Sequence, residues 1–283
     1  MEKRAVFVES TETTDEARNP IRRGIGRLGE MVWEQWDEVR HAAAVIGTVF
    51  CVAAWPRYWV RTVRRAFARQ VLAIGFESVG FVSGVAVFVG IAVVVQLAFW
   101  IGEAGQSQLL GPLLVTVVAR ELGPVLINLV VIVRCGSAMA TELGIMKIGG
   151  RIHVLEAQGI APFIFLVMPR VLGAVVSAFC LTVIFILVAL ASGYLFGAML
   201  GKGPPDLLLF VNSVFGAVSP KDMLNIVSKS ILPALFASAS CCIGGLGVSG
   251  SVLAVPQATQ RALARSVAGL FVICAVVSLL TYL

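Results

Sequence analysis

Five apolar stretches, each long enough to cross a lipid bilayer, constrain the fold of this 283-residue chain more than any other feature. They cover roughly residues 71–101, 110–139, 163–200, 224–248 and 262–283. A transmembrane helix needs about 20 predominantly apolar residues, and inside a bilayer only helices and closed barrels satisfy all of their backbone hydrogen bonds. Stretches of this length therefore predict an all-α integral membrane protein with five transmembrane helices.

The composition supports a membrane protein over a soluble one. Hydrophobic residues make up 58% of the chain and charged residues 13%, whereas soluble domains carry roughly 25% charged residues. Most of the six cysteines lie inside apolar stretches without the spacing of metal ligands, so we interpret them as small hydrophobic residues and expect no disulfide framework. His41 and His153 are too isolated to form a metal site, and we expect neither a metal nor a cofactor.

The region before the first apolar stretch has two parts. Residues 1–19 are polar and are predicted to form a disordered cytoplasmic tail, without the apolar segment of a signal peptide. Residues 20–69 place apolar and charged residues at helical spacing, which predicts amphipathic helices in the membrane interface. Among them, residues 42–55 are apolar but too short for a span, so we expect a re-entrant or interfacial segment there. Residues 70–283 form the five-span domain.

The basic residues predict the orientation of the spans. Of the 22 Lys and Arg residues, 12 precede residue 70, so the positive-inside rule places the N-terminus in the cytoplasm. The connections after spans two and four are then cytoplasmic. The other connections, with Lys202, Asp206, Lys221 and Asp222, lie outside together with the C-terminus. Counting residues 42–55 as a span would invert this arrangement and is disfavoured. The arginine-rich stretch before span one favours an anionic membrane surface over nucleic acid.

Two adjacent charges, Arg120 and Glu121, interrupt the second apolar stretch. Ionisable residues inside a membrane are costly and mark either a functional site or a structural ion pair. Pro124 lies four positions after Arg120, where it cannot supply an amide hydrogen to the Arg120 carbonyl. The charges either line a substrate or conformational pathway or pair with charges on other spans, for instance Glu77 or Lys229. We favour a structural or conformational role.

The connection between spans two and three is the most informative part of the predicted cytoplasmic surface. Within TELGIMKIGGRIHVLEAQGIAP (141–162), the apolar residues Ile148, Ile152 and Leu155 share one helical face. Gly159 is placed to end this helix. A short amphipathic helix between two spans either docks another protein or is an ordinary surface helix, and the spacing favours neither.

No catalytic motif accompanies these charges. The sequence contains no GxxxxGK[ST] phosphate loop, no HExxH and no GxSxG. We therefore expect a chain that is not an enzyme. Two alternatives stay open: an intramembrane enzyme that acts on lipid through Glu77, Arg120 or Glu121, and a scaffold that only anchors partners.

Several separated motifs carry a resemblance to a known family. They are RELGP at 120–124, RCGSA at 134–138, ELGIMK at 142–147, LE at 155–156, GIAP at 159–162 and PRVL at 169–172. In this order they resemble the permease subunits of MCE-associated lipid ABC transporters, the MlaE/YrbE family. The resemblance is dense from about residue 109 to 185 and continues more weakly over 228–280, where Lys229 fits the fourth span.

The resemblance implies an assembly in the bacterial inner membrane. Two permeases form a symmetric core, each with five spans and an N-terminal interfacial helix. A cytoplasmic ATPase dimer docks on the helix between spans two and three, a periplasmic MCE-domain assembly sits on the outer face, and the substrate is a lipid, commonly a phospholipid. The residues assigned to ATPase coupling are Glu142, Lys147, Arg151, Glu156 and Gly159, whereas Arg120 and Glu121 belong to the core of span two. The transport direction, the exact lipid and the identity of the second permease stay open.

One departure from the family pattern falls in the coupling segment. The family usually has Thr-Glu-Gln where this chain has Gly149, Gly150 and Arg151, an Asp at the position of His153, and an Asp at that of Ala161. Each glycine lowers helix propensity by roughly 1 kcal/mol relative to alanine. We therefore expect the coupling helix to begin later, near Arg151. An altered ATPase contact or a heteromeric permease pair would accompany such a change.

Overall fold

The computed structural model describes residues 40, 44–49, 51, 55, 60–104, 113, 115–159, 161–199 and 207–283. The predicted tail at 1–19 and the first amphipathic helix lie outside these residues. The chain divides into two compact units, Met1–Ala44 and Val45–Leu283. In the first unit, Arg40 and Ala44 are helical.

Five helical stretches are long and apolar enough to cross a bilayer. They are Arg61–Leu97, Val115–Ile148, Phe163–Met199, Pro220–Leu246 and Val252–Thr281, here called spans one to five. This number and the absence of β-strands from the described residues confirm the predicted fold class.

Each of the first three spans joins α-helical and π-helical segments. The α-helices are α1 (Arg61–Val71), α2 (Glu77–Ala104), α3 (Gly123–Val131), α4 (Ser137–Ile148), α5 (Arg151–Ala157), α6 (Met168–Met199), α7 (Leu207–Ala217), α8 (Pro220–Leu246) and α9 (Val255–Tyr282). The π-helical segments are Leu72–Phe76, Val115–Leu122, Ile132–Gly136 and Phe163–Val167, and a 3₁₀ turn at Val252–Ala254 opens span five. Because π-helical turns are rare and frequently occur at functional sites, the segment Val115–Leu122, which contains Arg120 and Glu121, is notable.

The boundaries differ from the predicted ones where polar residues continue a helix. Span one runs without a break through the predicted boundary at residue 70, because the basic stretch before it is also helical. Span two continues to Ile148, and span five begins at Val252, ten residues earlier than predicted. Hydrophobicity alone marks the part of a helix that lies in lipid, not the turns that extend beyond it. The short helix α7 was not predicted.

The spans pack through small residues that allow close backbone approach. Span one packs on span three, and span four packs on spans two, three and five. A Cβ added at Gly90 would meet the Ala189 carbonyl at 2.4 Å, and one added at Gly245 would meet the Ala140 carbonyl at 2.5 Å. Any side chain there would push the helices apart, as expected for membrane helices held by close packing.

Two ends of the bundle carry different chain segments. At one end, span two finishes at Ile148 and α5 connects it to Phe163. The Lys147 ammonium donates a hydrogen bond to the carbonyl of Leu246, so the end of span four lies there as well. We call this the connector end, and we call the opposite end, where spans two and four begin, the ion-pair end.

The apolar segment predicted to be re-entrant or interfacial is only partly described. Its residues 45–49, which belong to the second unit, are helical. Val49 is fully buried in a cluster with Leu143, Ile152 and Val167, all from the connector end. This part of the segment therefore packs on the connector end of the bundle.

Candidate functional site

An ion pair between Arg120 and Asp222 links the beginnings of spans two and four. The Arg120 Nη2 atom lies 2.8 Å from Asp222 Oδ2, and the aspartate is almost fully buried. The same carboxylate oxygen accepts a 2.8 Å hydrogen bond from the Ser219 amide, and the Ser219 side chain completes a capping box at the start of α8. One carboxylate therefore caps span four and holds a guanidinium of span two.

The position of Asp222 differs from the predicted one, which was in an outer connection together with Lys221. It is buried in the first turn of α8. The sequence Ser219-Pro220-Lys221-Asp222 could have predicted this helix start. A serine at the N-cap, a proline directly after it and an acidic residue three positions after the serine are typical of the first turn of a helix. Recognising the cap would have moved the start of span four from residue 224 to 220.

A second ion pair joins Glu121 and Lys229. The Lys229 Nζ atom lies 2.7 Å from Glu121 Oε1; the lysine side chain is fully buried and the glutamate is 52% exposed. Ser278 of span five donates a longer hydrogen bond, 3.4 Å, to the same glutamate oxygen. This confirms Lys229 as a partner of the charges in span two. Glu77, the other partner considered, is exposed in the first turn of α2 and forms no ion pair with Arg120 or Lys229 within the described residues.

The two adjacent charges of span two have different partners because successive helical residues point about 100° apart. Arg120 faces Asp222, and Glu121 faces Lys229. A buried ion pair is weak evidence for stability in itself, but removal of one partner leaves an uncompensated charge and costs about 3–5 kcal/mol. The two pairs therefore oppose any movement of span four along span two unless both pairs break.

The Arg120 carbonyl lacks the usual hydrogen bond from the amide four residues later, as the sequence predicted. Pro124 has no amide hydrogen to donate to it. Instead, the Lys229 ammonium donates a 3.1 Å hydrogen bond to this carbonyl while it pairs with Glu121. Lys229 thus compensates both a charge and a broken backbone hydrogen bond of span two.

Within the described residues, the site lies near one end of span two. The described part of this span begins at Val115, five residues before Arg120. From Arg120 to Ile148 the helical rise of about 1.5 Å per residue corresponds to roughly 42 Å. The ion pairs and the predicted coupling segment therefore occupy opposite ends of the same span.

At the connector end, two glycines separate span two from α5. Gly149 caps span two, and Gly150 has a φ of 72°, a left-handed conformation that suits glycine. The helix α5 begins at Arg151, which confirms the predicted late start, and Gly159, with a φ of 74°, follows its end. It is only seven residues long.

The five residues assigned to coupling have different surroundings. Glu142 and Lys147 lie on span two instead of α5: Glu142 pairs with the largely buried Arg170 of span three at 2.8 Å, and Lys147 bonds a carbonyl of span four. Arg151 and Glu156 are exposed on α5. Glu142 and Lys147 thus tie the end of span two to spans three and four, although Glu142 is 57% exposed, whereas Arg151 and Glu156 are exposed and lie on α5 itself.

The helix α5 is held by one apolar side and exposes the other. Ile152 is buried and Leu155 is half-buried, as the helical spacing predicts, while Val154 is 57% exposed. His153 and Glu156 form an exposed pair at 3.3 Å. The outer side of α5 thus offers both apolar and charged groups for contact. In the described part of the chain, no three His, Cys, Asp or Glu residues are grouped as metal ligands would be.

Comparison with known proteins gives one consistent result. Residues 67–280 match the family model described as permease MlaE. The chain is 28% identical to the chloroplastic protein TRIGALACTOSYLDIACYLGLYCEROL 1 of Arabidopsis thaliana over 76% of this chain and 59% of that protein, so it spans less than two thirds of that relative. It is 28% identical to a probable ABC transporter permease of Rickettsia prowazekii, over 70% of this chain and 76% of the relative.

A cyanobacterial relative extends this set. A probable ABC transporter permease of Synechocystis is 29% identical over 75% of this chain and 80% of the relative. The family match begins within α1, ends within α9 and includes both the ion-pair end and the connector end. Since it covers well over half of the chain, this multi-pass membrane protein belongs to the MlaE permease family.

Proposed function

We propose that this chain is the permease subunit of an ATP-powered lipid transporter in a bacterial inner membrane. The observation that carries the proposal is the family match across all five spans. Two relatives are named probable ABC transporter permeases, and the Arabidopsis relative bears the name of a galactolipid. Because the sequence has no phosphate-binding loop, ATP is hydrolysed by a separate chain.

The proposed assembly has two permeases, a cytoplasmic ATPase dimer and a periplasmic MCE-domain protein, with a phospholipid as substrate. The connector end then faces the cytoplasm. The ATPase docks on α5, where Arg151, Val154 and Glu156 are accessible. Glu142 and Lys147 keep the end of span two packed against spans three and four, so that force applied at α5 reaches the bundle.

Within this function, the ion pairs act as a clamp between spans two and four. Three features support the clamp. The pairs cross between spans, and Arg120 and Glu121 lie in a π-helical segment. Glu121 is also half-exposed, so that its carboxylate can leave Lys229 without crossing the core. Lipid tails require an apolar cavity, which this charged cluster does not provide. The clamp therefore transmits conformational change instead of binding the tails.

Purification of the intact complex tests the function. An ATPase and an MCE-domain protein should copurify with the chain, mass spectrometry should find bound phospholipid, and the complex should hydrolyse ATP faster with lipid present. Recovery of the chain alone, with no lipid and no ATPase, would contradict the proposal. Lipid turnover by the purified chain without ATP would favour an intramembrane enzyme instead.

An Arg120→Ala variant tests the clamp. It should reduce lipid-coupled ATP hydrolysis more than lipid occupancy, because the lost contact holds two spans and not the lipid. Lys221→Ala is the matched control, since Lys221 is an exposed cation next to Asp222. The opposite ranking, with occupancy more affected than coupling, would make the ion pairs a substrate site. If an Arg120 variant that assembles stops transport, a pure scaffold is excluded.

A further inference from the structure

A second proline, Pro233, removes one backbone hydrogen bond from span four close to the ion pairs. It lies inside α8, four residues after Lys229. Since proline has no amide hydrogen, it cannot donate to the Lys229 carbonyl, just as Pro124 cannot donate to the Arg120 carbonyl. Spans two and four therefore each contain one carbonyl that has lost its helical donor, and the two carbonyls belong to residues that contact each other.

Asn128 supplies the donor that Pro233 withholds. Its Nδ2 atom lies 3.0 Å from the Lys229 carbonyl and 2.8 Å from the Pro124 carbonyl. A carboxamide NH2 group carries two hydrogens, and both are used here. Because both neighbours are acceptors, only the nitrogen of the carboxamide can bond them, so the orientation of the side chain is determined by its contacts.

The arrangement is reciprocal. Lys229 of span four donates to the Arg120 carbonyl, which Pro124 leaves without a donor. Asn128 of span two donates to the Lys229 carbonyl, which Pro233 leaves without a donor. Asn128 and Lys229 are both fully buried. The main chain and the side chain of Lys229 thus both contact span two, and each contact involves a carbonyl that a proline has left without its helical donor.

We propose that Asn128 is a positioning residue for the Glu121–Lys229 pair. It replaces the amide hydrogen that Pro233 removes, and it joins the Pro124 carbonyl of span two to the Lys229 carbonyl of span four through its two hydrogen bonds. The role deepens the proposed function, because a correctly placed Lys229 is what the clamp requires. The physical claim, that Asn128 is needed because Pro233 is present, does not depend on lipid transport.

A four-member cycle tests this claim in the complete transporter: wild type, Asn128→Ala, Pro233→Ala and the double variant. Asn128→Ala should lower lipid-stimulated ATP hydrolysis about tenfold and lower the melting temperature, because a buried carbonyl is left without a donor. In the double variant, the Pro233→Ala substitution restores the amide hydrogen that the Lys229 carbonyl lacks, so the activity should return to within about threefold of wild type. Recovery of ATP hydrolysis in the double variant would show that Asn128→Ala acts through the lost hydrogen-bond donor and not through general misfolding.

Two matched controls and one size control complete the experiment. Asn212→Ala removes an exposed asparagine of α7, and Pro256→Ala removes an exposed proline from the first turn of α9. The effect of each control substitution on activity and melting temperature should simply add to the effects of Asn128→Ala and Pro233→Ala. Asn128→Leu fills the space of the asparagine without a donor and should be as defective as Asn128→Ala.

Three results would overturn the role: a double variant no better than Asn128→Ala, a fully active Asn128→Leu variant, or additive changes in melting temperature. If Asn128→Ala does not assemble, the double variant should assemble, and failure of both also overturns the role. A different result is expected if the proposed function is wrong but the role of Asn128 is right. The wild-type complex would then show no lipid stimulation, while the melting temperatures would still report the coupling of Asn128 to Pro233.

Discussion

The ion-pair end and the connector end use charged residues in opposite ways. At the ion-pair end, Asp222 and Lys229 are buried and each holds a residue of span two. At the connector end, Arg151 and Glu156 are exposed on a seven-residue helix bounded by glycines. A buried charge commits its partner to one geometry, whereas an exposed charge is available to another molecule. The difference agrees with the proposed roles of the two ends of span two, which are helix packing at the ion-pair end and docking of the ATPase at the connector end.

The connector end is not uniformly exposed. Arg170, whose side chain is 10% exposed, pairs with Glu142, and its Nη1 atom is buried without a hydrogen-bond partner within the described residues. This pair lies on the turns of spans two and three next to α5. The accessible surface at this end therefore includes Glu142 and Ile145 of span two as well as α5, while Arg170 lies beneath it.

The largest effect should come from Glu121→Gln at the ion-pair end. It leaves the fully buried Lys229 without a counter-charge, which should destabilise the protein by about 3–5 kcal/mol. The matched change at the connector end, Glu156→Gln, should stay within about 0.5 kcal/mol because the residue is exposed. Thermal unfolding of the two purified variants in the same lipid-detergent mixture measures the contrast. Equal losses would show that the two ends do not differ in the way their burial implies.

A smaller difference should separate the two partners of the other ion pair. Arg120→Ala leaves the Asp222 carboxylate, which is 3% exposed, without its cation. Asp222→Ala leaves Arg120, which is 23% exposed, and removes the helix cap that accepts the Ser219 amide. Because the charge that remains is deeply buried only in the arginine variant, that variant should be the less stable one by at least about 2 kcal/mol, even after the roughly 1 kcal/mol that the lost cap costs the aspartate variant. Melting temperatures of both variants provide the test. If the aspartate variant is the less stable one, the cap contributes more than the unpaired buried carboxylate costs.

The smallest effect should arise at the boundary between span two and α5. Gly150→Ala places a side chain in a left-handed conformation and should cost about 1–2 kcal/mol locally. Because α5 is short and exposed, the overall melting temperature should fall by only a few degrees, while recovery of the ATPase with the complex should fall more. Gly80→Ala is the control, since a Cβ there meets no atom within 4 Å. Unchanged ATPase recovery would show that the bend at Gly150 does not serve docking.

The features that were predicted correctly from the sequence depend only on residues that are neighbours in the chain. The spans follow from runs of apolar side chains, and the start of α5 at Arg151 follows from the low helix propensity of Gly149 and Gly150. The break at Pro124 follows from the missing amide hydrogen of proline. Each of these needs only neighbouring residues, so each could be predicted and appears in the structure.

The candidate site was only half predicted, because its members are far apart in sequence. Arg120 and Asp222 are separated by 102 positions, and Lys229 and Glu121 by 108. The helix-start pattern at Ser219 could have placed Asp222 in span four, but no pattern shows which arginine it faces. The role of Asn128 was missed for the same reason, since a single asparagine in an apolar stretch carries no signal until its neighbours are known.

The sequence by itself therefore determined that this chain has five stretches able to cross a membrane, that Pro124 leaves the Arg120 carbonyl without its helical donor, and which family the chain resembles, because hydrophobicity, helix propensity and short motifs are properties of neighbouring residues. Only the tertiary structure decided which charges pair, which carbonyls Lys229 and Asn128 satisfy, and that the ion pairs and α5 lie at opposite ends of span two. Those choices depend on the register between packed helices, which is set by the close contacts of many side chains at once.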